Sequence, residues 1–327
     1  MKLHISKTLT AVAMMSAAVG SVSAAEPIIV QVAPIEQTEE YYETCRPSGT
    51  ADTTVKYSSI KSDASVTVRT AFDRGYAYNM EFGNIEAGNK VTISTHRGDI
   101  TLGDVQAKDM GVSTSKGNIT VTGTLNLSEK GSTIAITGGG ENGTIILDGA
   151  DITNVALCNE GGTIAISGDT TLSNVAFEES TVEVAEGTSL TLENVAFTSF
   201  ENSNNELPAL SDLVLGDNVV LTLNAGDALK VKELTIGNGV EIIITLSDEA
   251  FAALDNTTFN IFSVQEGEVD LTGATVSFTD GEQTKTGTIK AEGGKITVTD
   301  SYVVPEPTTA VLSLLALCGL AARRRRI

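Results

Sequence analysis

Tryptophan is absent from this 327-residue chain, histidine occurs twice and cysteine three times. Each scarcity removes a class of chemistry. The body holds a single histidine, His96, and there is no Gly-x-Ser-x-Gly elbow, His-Glu-x-x-His pair or phosphate loop, so the common catalytic constellations are missing. No CxxC or Cys/His spacing suits zinc, and no metal site or cofactor is expected. Cys318 falls in an apolar terminal run, which leaves Cys45 and Cys158 as the one pair able to form a disulfide in an oxidising compartment. Such a bridge would staple the N-terminal segment to the middle of the body. Aromatic residues make up 5% of the chain, leaving few rings on which a sugar could stack. Positive charge is scarce too, with 21 basic residues against 42 acidic ones. The lack of any basic cluster outside the two ends argues against nucleic acid and against bare anionic lipid. A strongly acidic exterior is soluble and attracts divalent cations.

The ends differ in character from the body. Lys2 and Lys7 precede the uncharged apolar segment Leu9 to Val22, and Ser23-Ala24-Ala25 supplies small residues for cleavage. Residues 1–25 therefore read as a Sec-type signal peptide cut at Ala24 or Ala25. At the other end come Pro305, Glu306 and Pro307, the apolar run Thr308 to Ala322, and Arg323, Arg324, Arg325 and Arg326. The run is short of the roughly 20 residues of a relaxed span, but arginines snorkel to the far headgroups. Their charge puts the C-terminus in the cytoplasm and the body outside it. Setting both ends aside leaves 15 basic and 41 acidic residues, a net charge of −26.

This tail closely resembles the PEP-CTERM sorting signal of Gram-negative bacteria. The resemblance implies processing by an exosortase, with Pro305, Glu306 and Pro307 as the recognition motif and Arg323 to Arg326 as the cytoplasmic stop. It further implies a transient inner-membrane anchor with the body in the periplasm, then release to the cell surface or the extracellular matrix.

Between the ends, short Val/Ile/Leu/Thr runs are punctuated by Gly, Asn and Asp, which predicts an all-β body. One short helix is expected at Ser247 to Leu254, where a Ser cap precedes two acids. Three internal echoes share nearly one period. Ile152 to Leu157, Leu172 to Phe177 and Leu192 to Phe197 recur every 20 residues; Ile93 to Leu102 returns as Val112 to Val121; and Leu213 to Val219 returns as Leu234 to Val240. A fixed period of this length marks a solenoid, in which no coil buries its apolar face alone. The apolar parity switches at Asn154, Asn174 and Asn194, so the chain must turn there. Asparagine tolerates the left-handed region, and in stacked coils the three amides would form a structural ladder beside Leu157, Phe177 and Phe197.

The fold expected is a parallel β-helix (β-solenoid) of about 20-residue coils with an N-terminal cap and C-terminal hairpins, plus the C-terminal transmembrane sorting helix. Between residues 55 and 300 there is room for about 12 such coils, a rod of order 60 Å. Residues 26–82, with three prolines and an acidic run, read as linker and cap; 83–302 as the solenoid body, closed by hairpins from Phe259 to Val298; and 303–327 as the sorting signal. Asn202 to Glu206 reads as a protruding loop.

The coils resemble passenger regions of autotransporters and filamentous adhesins. That implies a structural or adhesive protein of the envelope or biofilm matrix, not an enzyme. The alternative is a β-helix that binds or cleaves exopolysaccharide, for which Asp148, Asp151 and Asp169 are the candidate acids. His96 reads as an exposed corner residue. The stretch Gly138 to Gly143 lacks the ligand Asp of the calcium-binding glycine repeat.

Overall fold

The computed structural model describes residues 27–45, 51–70, 76–138, 143–198, 209–226, 228–255 and 257–300. Ala24, Ala25, the whole sorting tail and the segment Asn202 to Glu206 lie outside them. Within them the chain is all-β, about 62% strand, wound into a β-solenoid of about eight turns.

The first coil comprises β1 (Ile28–Val32), β2 (Ile35–Gln37) and β3 (Tyr41–Cys45). The next three coils have two strands each, all but β5 long: β4 (Thr53–Ser62) and β5 (Val66–Thr70), β6 (Tyr78–Ala87) and β7 (Lys90–Arg97), β8 (Ile100–Ala107) and β9 (Asp109–Lys116). From there the strands shorten and each coil has three: β10 (Ile119–Val121), β11 (Thr124–Leu127) and β12 (Ser132–Ile136); β13 (Ile145–Asp148), β14 (Asp151–Thr153) and β15 (Val155–Cys158); β16 (Thr163–Ser167), β17 (Thr170–Ser173) and β18 (Ala176–Glu178). The remaining coils carry β19 (Thr181–Val184) and β20 (Ser189–Glu193), then β21 (Asp212–Leu215), β22 (Val220–Asn224) and β23 (Leu229–Val231), then β24 (Leu234–Ile236) and β25 (Glu241–Thr245). The chain finishes with α1 (Asp248–Ala252), β26 (Thr258–Val264), β27 (Thr275–Thr279), β28 (Thr284–Glu292) and β29 (Lys295–Asp300).

Parallel pairing stacks these strands into three ladders. The first runs β1-β4-β6-β8-β10-β13-β16-β19-β21-β24, and the second leaves β8 through β11 to β14, β17, β20, β22, β25 and β27. The third runs β3-β5-β7-β9-β12-β15-β18 and ends in a bridge from Ala176 to Ala196. Because the register is parallel and the coils are in step, like stacks on like. Val55, Met80, Ile100, Ile119, Ile145, Ile164, Val182, Leu213 and Leu234 form one continuous buried column through the first ladder. In the third, Val68, Ile93, Val112, Ile134, Leu157 and Phe177 do the same, and Phe177 stacks on Phe197 with centroids 5.0 Å apart. Strand alternation alone produces this core, since every second side chain of each coil points inward.

Two expectations are corrected here. The first ladder has ten rungs and the third seven, fewer than the twelve coils expected, because the step between coils is far from constant and often longer than 20 residues. It is 25 residues at Thr54 and Asn79, 19 at Asp99 and Asn118, 26 at Asn118 and Thr144, 20 at Asn174 and Asn194, and 31 at Ser180 and Ser211. Within residues 26–82, expected as linker and cap, the described strands stack as rungs. β1 pairs in parallel with β4 and β4 with β6, so these strands belong to the first coils. The C-terminal part turns antiparallel, with β27 against β28, β28 against β29, and β29 against β26. Ser247 caps α1, its Oγ accepting from the Ala250 N–H.

Candidate functional site

Corners place most of the polar side chains. At the turn from the third ladder back to the first, one carboxylate or amide oxygen after another accepts the backbone N–H of the coil above: Asn79 Oδ1 from Asp99 at 2.8 Å, Asp99 Oδ1 from Asn118 at 2.7 Å, and Asn118 Oδ1 from Thr144 at 2.9 Å. Glycines sit beside this column because nothing larger fits. Gly117 has φ +140°, and a Cβ there would lie 2.2 Å from the Gly98 carbonyl oxygen. These side chains are therefore occupied in holding coils together, a role that Gly98-Asp99-Ile100 and Gly117-Asn118-Ile119 signalled only as turn residues.

Asn154, Asn174 and Asn194 lie at another corner, between the second and third ladders, with φ of 63°, 54° and 52°. The Asn194 amide donates to Asn174 Oδ1. Asn154 departs from the expected ladder: its amide donates to the Leu127 carbonyl of the preceding coil at 2.6 Å. One rung of the ladder is thus side chain to side chain, and its lower end is anchored on backbone.

The candidate acids stand at the β13–β14 corner and at the β16–β17 corner stacked on it. Asp148 Oδ1 accepts from the Ser167 hydroxyl at 3.4 Å and Asp169 Oδ1 from the Ser189 N–H at 3.1 Å, while Asp151 stands in β14 opposite Thr171. His96 is exposed at the end of β7. Among the described residues, no three His, Cys, Asp or Glu side chains gather in a way that could hold a metal ion.

Cys45 and Cys158 are free thiols, so the expected bridge is absent. They belong to β3 and β15, five ladder steps apart, or about 24 Å at one strand spacing per step. A disulfide needs its Cα atoms within about 7 Å. Cys45 instead joins a buried polar group at the N-terminal end that no sequence motif marks. Its Sγ lies 3.2 Å from the Tyr57 hydroxyl and 3.5 Å from a Glu43 carboxylate oxygen, and Tyr41 donates to Glu43. Burial first, and the Glu43 charge second, push the Cys45 thiol up to about 11. Burial likewise raises the phenols of Tyr41, Tyr57 and Tyr78. A thiol held protonated is neither a nucleophile nor a metal ligand at neutral pH. The cluster is chemically quiet.

A cleft of about 480 Å³ is lined by Glu160, Glu179, Asp212, Lys232, Gln265 and Glu266 among others. Four acids face one lysine there, and Asp212 Oδ1 is buried without a hydrogen-bond partner. Such a wall offers acceptors to a neutral polyol or a cationic group and repels an anionic chain. Among the described residues no helix is long and apolar enough to cross a membrane. Comparison of the chain with protein-family models, with curated proteins and with solved structures finds no match in any of the three.

Proposed function

We infer that this protein is an exported solenoid, delivered to the cell surface or extracellular matrix by exosortase sorting, where it acts as a structural or adhesive component. The observation that carries the reading is the order of Pro305-Glu306-Pro307, apolar run and four arginines, together with Lys2, Lys7, the apolar run Leu9 to Val22 and Ser23-Ala24-Ala25. The body supports it. A continuous apolar core with polar side chains tying coil to coil at the corners suits a spacer or a surface. In this reading the inner membrane and the exosortase are partners in transit. Mass spectrometry of surface-exposed protein should find an N-terminus near Ala25 or Glu26 and no peptide containing Arg323 to Arg326; an intact arginine tail on most surface copies overturns the sorting proposal.

A second reading, an exopolysaccharide-binding β-helix, is favoured by the cleft at Glu160, Glu179 and Asp212. Its acidity selects neutral or amino-sugar polymers over uronate-rich ones, and a glycan array run on Asp212→Ala beside the parent distinguishes the readings. Retention of a neutral or amino glycan by the parent alone supports the binder.

A further inference from the structure

The left-handed asparagines of the solenoid share a neighbour. Asn154, Asn174, Asn194 and Asn218 have positive φ, and each is followed by a valine that is 8% exposed or less. One coil above Asn218 the corner is built differently. Gly216-Asp217-Asn218-Val219 is matched there by Gly237-Asn238-Gly239-Val240. A glycine takes the left-handed place, at φ +69°, and the asparagine moves one position earlier, onto Asp217. Asn238 and Gly239 are both exposed.

The hydrogen bonds of this corner favour one reaction. The Asn238 backbone N–H donates to Asp217 Oδ1 at 2.7 Å, and its side-chain Nδ2 donates to the same oxygen at 3.4 Å. The Asn238 carbonyl accepts from the Asn218 N–H at 2.8 Å, which polarises the peptide group it shares with Gly239. The other end of that group is open: the Gly239 N–H has no acceptor among the described residues. Glycine carries no Cβ to shield this nitrogen. The carbonyl carbon of the Asn238 side chain, Cγ, is the electrophile with which it closes a five-membered ring.

We propose that Asn238 is a self-modification site, at which the folded chain converts its own side-chain amide to an acid. The Gly239 nitrogen gives its proton to solvent and attacks Asn238 Cγ. The Cγ–Nδ2 bond breaks, and ammonia leaves with a proton from solvent, closing a cyclic imide. Water then opens the imide. Addition at Cγ yields aspartate; addition at the main-chain carbonyl yields isoaspartate, whose backbone runs through Cγ and is longer by one carbon. One water is consumed and one ammonia released, with nothing oxidised or reduced. Either product loses the Nδ2 donor and sets a new carboxylate against Asp217. The Gly187 N–H donates to the Asp217 carbonyl, which puts Glu186 in the same corner column, and like charges in register weaken a ladder. Isoaspartate also lengthens a corner with no slack, since a Cβ on Gly237 would lie 2.6 Å from the Gly216 carbonyl carbon. The rung carrying β24 and β25 therefore loosens as the protein ages. The site belongs to the body alone, so it stands or falls separately from the sorting proposal.

The test ages the full-length protein, folded by circular dichroism, in mildly alkaline buffer and digests it with a glutamate-specific protease. Asn238 then lies in the peptide Leu234 to Glu241 and Asn174 in Gly161 to Glu178; Asn142, from the chain's other Asn-Gly pair and outside the described residues, lies in a third peptide, Asn142 to Glu160. Leu234 to Glu241 should gain the mass of an amide turned acid and split into aspartate and isoaspartate forms. Its conversion should run at least about tenfold faster than that of Gly161 to Glu178, where a β-branched residue follows the asparagine. Asn238→Gln, whose longer side chain cannot close the same ring, should abolish the change. Gly239→Asn should slow it and keep the corner, because Asn218 holds the same left-handed conformation one coil below. Hydrogen exchange in β24 and β25 should rise in the aged parent and not in aged Asn238→Gln. The proposal is overturned if the folded protein keeps Asn238 intact while the urea-unfolded chain converts, or if the Asn238 and Asn174 peptides convert at the same rate. It is equally overturned if conversion leaves exchange in β24 and β25 as it was.

Discussion

The early coils and the middle coils solve the same problem, turning a strand into a closed rung, by different means. From β4 to β9 the strands run 8 to 10 residues, apart from the five of β5, and in the first ladder they bend without leaving the extended region. Gly83 and Gly103 stand at these bends, where a Cβ would fall 2.4 Å from the Ser58 oxygen and 2.1 Å from the Gly83 oxygen respectively. From β13 to β20 the strands run three to five residues, and left-handed asparagines break them at fixed intervals. One region is shaped by close backbone approach, the other by backbone dihedral. The first tolerates no added atom; the second tolerates several residue types.

The largest expected effect follows from that contrast. Gly117→Ala meets the Gly98 carbonyl at 2.2 Å and must hold φ +140° with a side chain, which combines overpacking with strain and should cost about 4 kcal/mol. Gly161→Ala also has a positive φ, +67°, but nothing lies within 4 Å of its Cβ, so about 1 kcal/mol is expected. Denaturant midpoints of the two variants measure the difference. Equal losses would mean that dihedral preference, not close approach, limits both corners.

Legibility in the sequence divides along the same line. The 20-residue recurrence of Asn154, Asn174 and Asn194 was readable because a left-handed corner needs a particular residue in each coil, and the three positions do have positive φ. The 25-residue coils were not readable. Their strands do switch parity, with buried positions at Thr53, Val55 and Tyr57 and then Ile60 and Ser62, and at Tyr78, Met80 and Phe82 and then Ile85, but no left-handed asparagine marks the switch as it does in the middle coils. The prolines and glutamates of residues 27 to 45 suggested a linker, yet their alternation, Ile28, Val30 and Val32, is that of a rung. The Tyr57, Tyr78 and Cys45 group was invisible for another reason: its members come from three coils and meet only through register.

That group sharpens the comparison through pH. Cys45 is held up to about 11 against an ordinary value of 9.0, and Tyr57 and Tyr78 are raised further. Below about pH 9 the thiol is protonated in both folded and unfolded chains. Above it the unfolded chain sheds the proton while the folded chain cannot, so stability is lost as pH rises from 9 to 11. Cys45 alone should contribute a loss of about 2–3 kcal/mol. Hydrogen exchange at pH 10 should show β1 to β6 opening before the middle coils. Tyr57→Phe keeps the ring stacked 4.8 Å from Phe82 and removes one titrating hydroxyl, so its alkaline slope should be shallower than the parent's. Identical slopes would locate the sensitivity elsewhere.

The smallest effects expected are at the asparagine corners, and they test whether the dihedral or the amide matters more. Asn174 has φ 54° and its Oδ1 accepts from Asn194. Asn174→Val places a β-branched side chain in the left-handed region and removes the amide contact, for about 2 kcal/mol. Asn174→Gly keeps the conformation and loses only the amide, for about 1 kcal/mol or less. At Asn154 the balance shifts, because its amide reaches the Leu127 carbonyl of the coil beneath instead of a neighbouring asparagine. Asn154→Gly therefore takes a donor from a backbone carbonyl, not a rung from a ladder, and should cost as much as Asn174→Gly although no asparagine loses a partner. Thermal melts of the three variants decide between them. If valine and glycine at 174 melt alike, the corner is held by packing of Val175 and Phe177 against the core, and the left-handed dihedral is its consequence, not its cause.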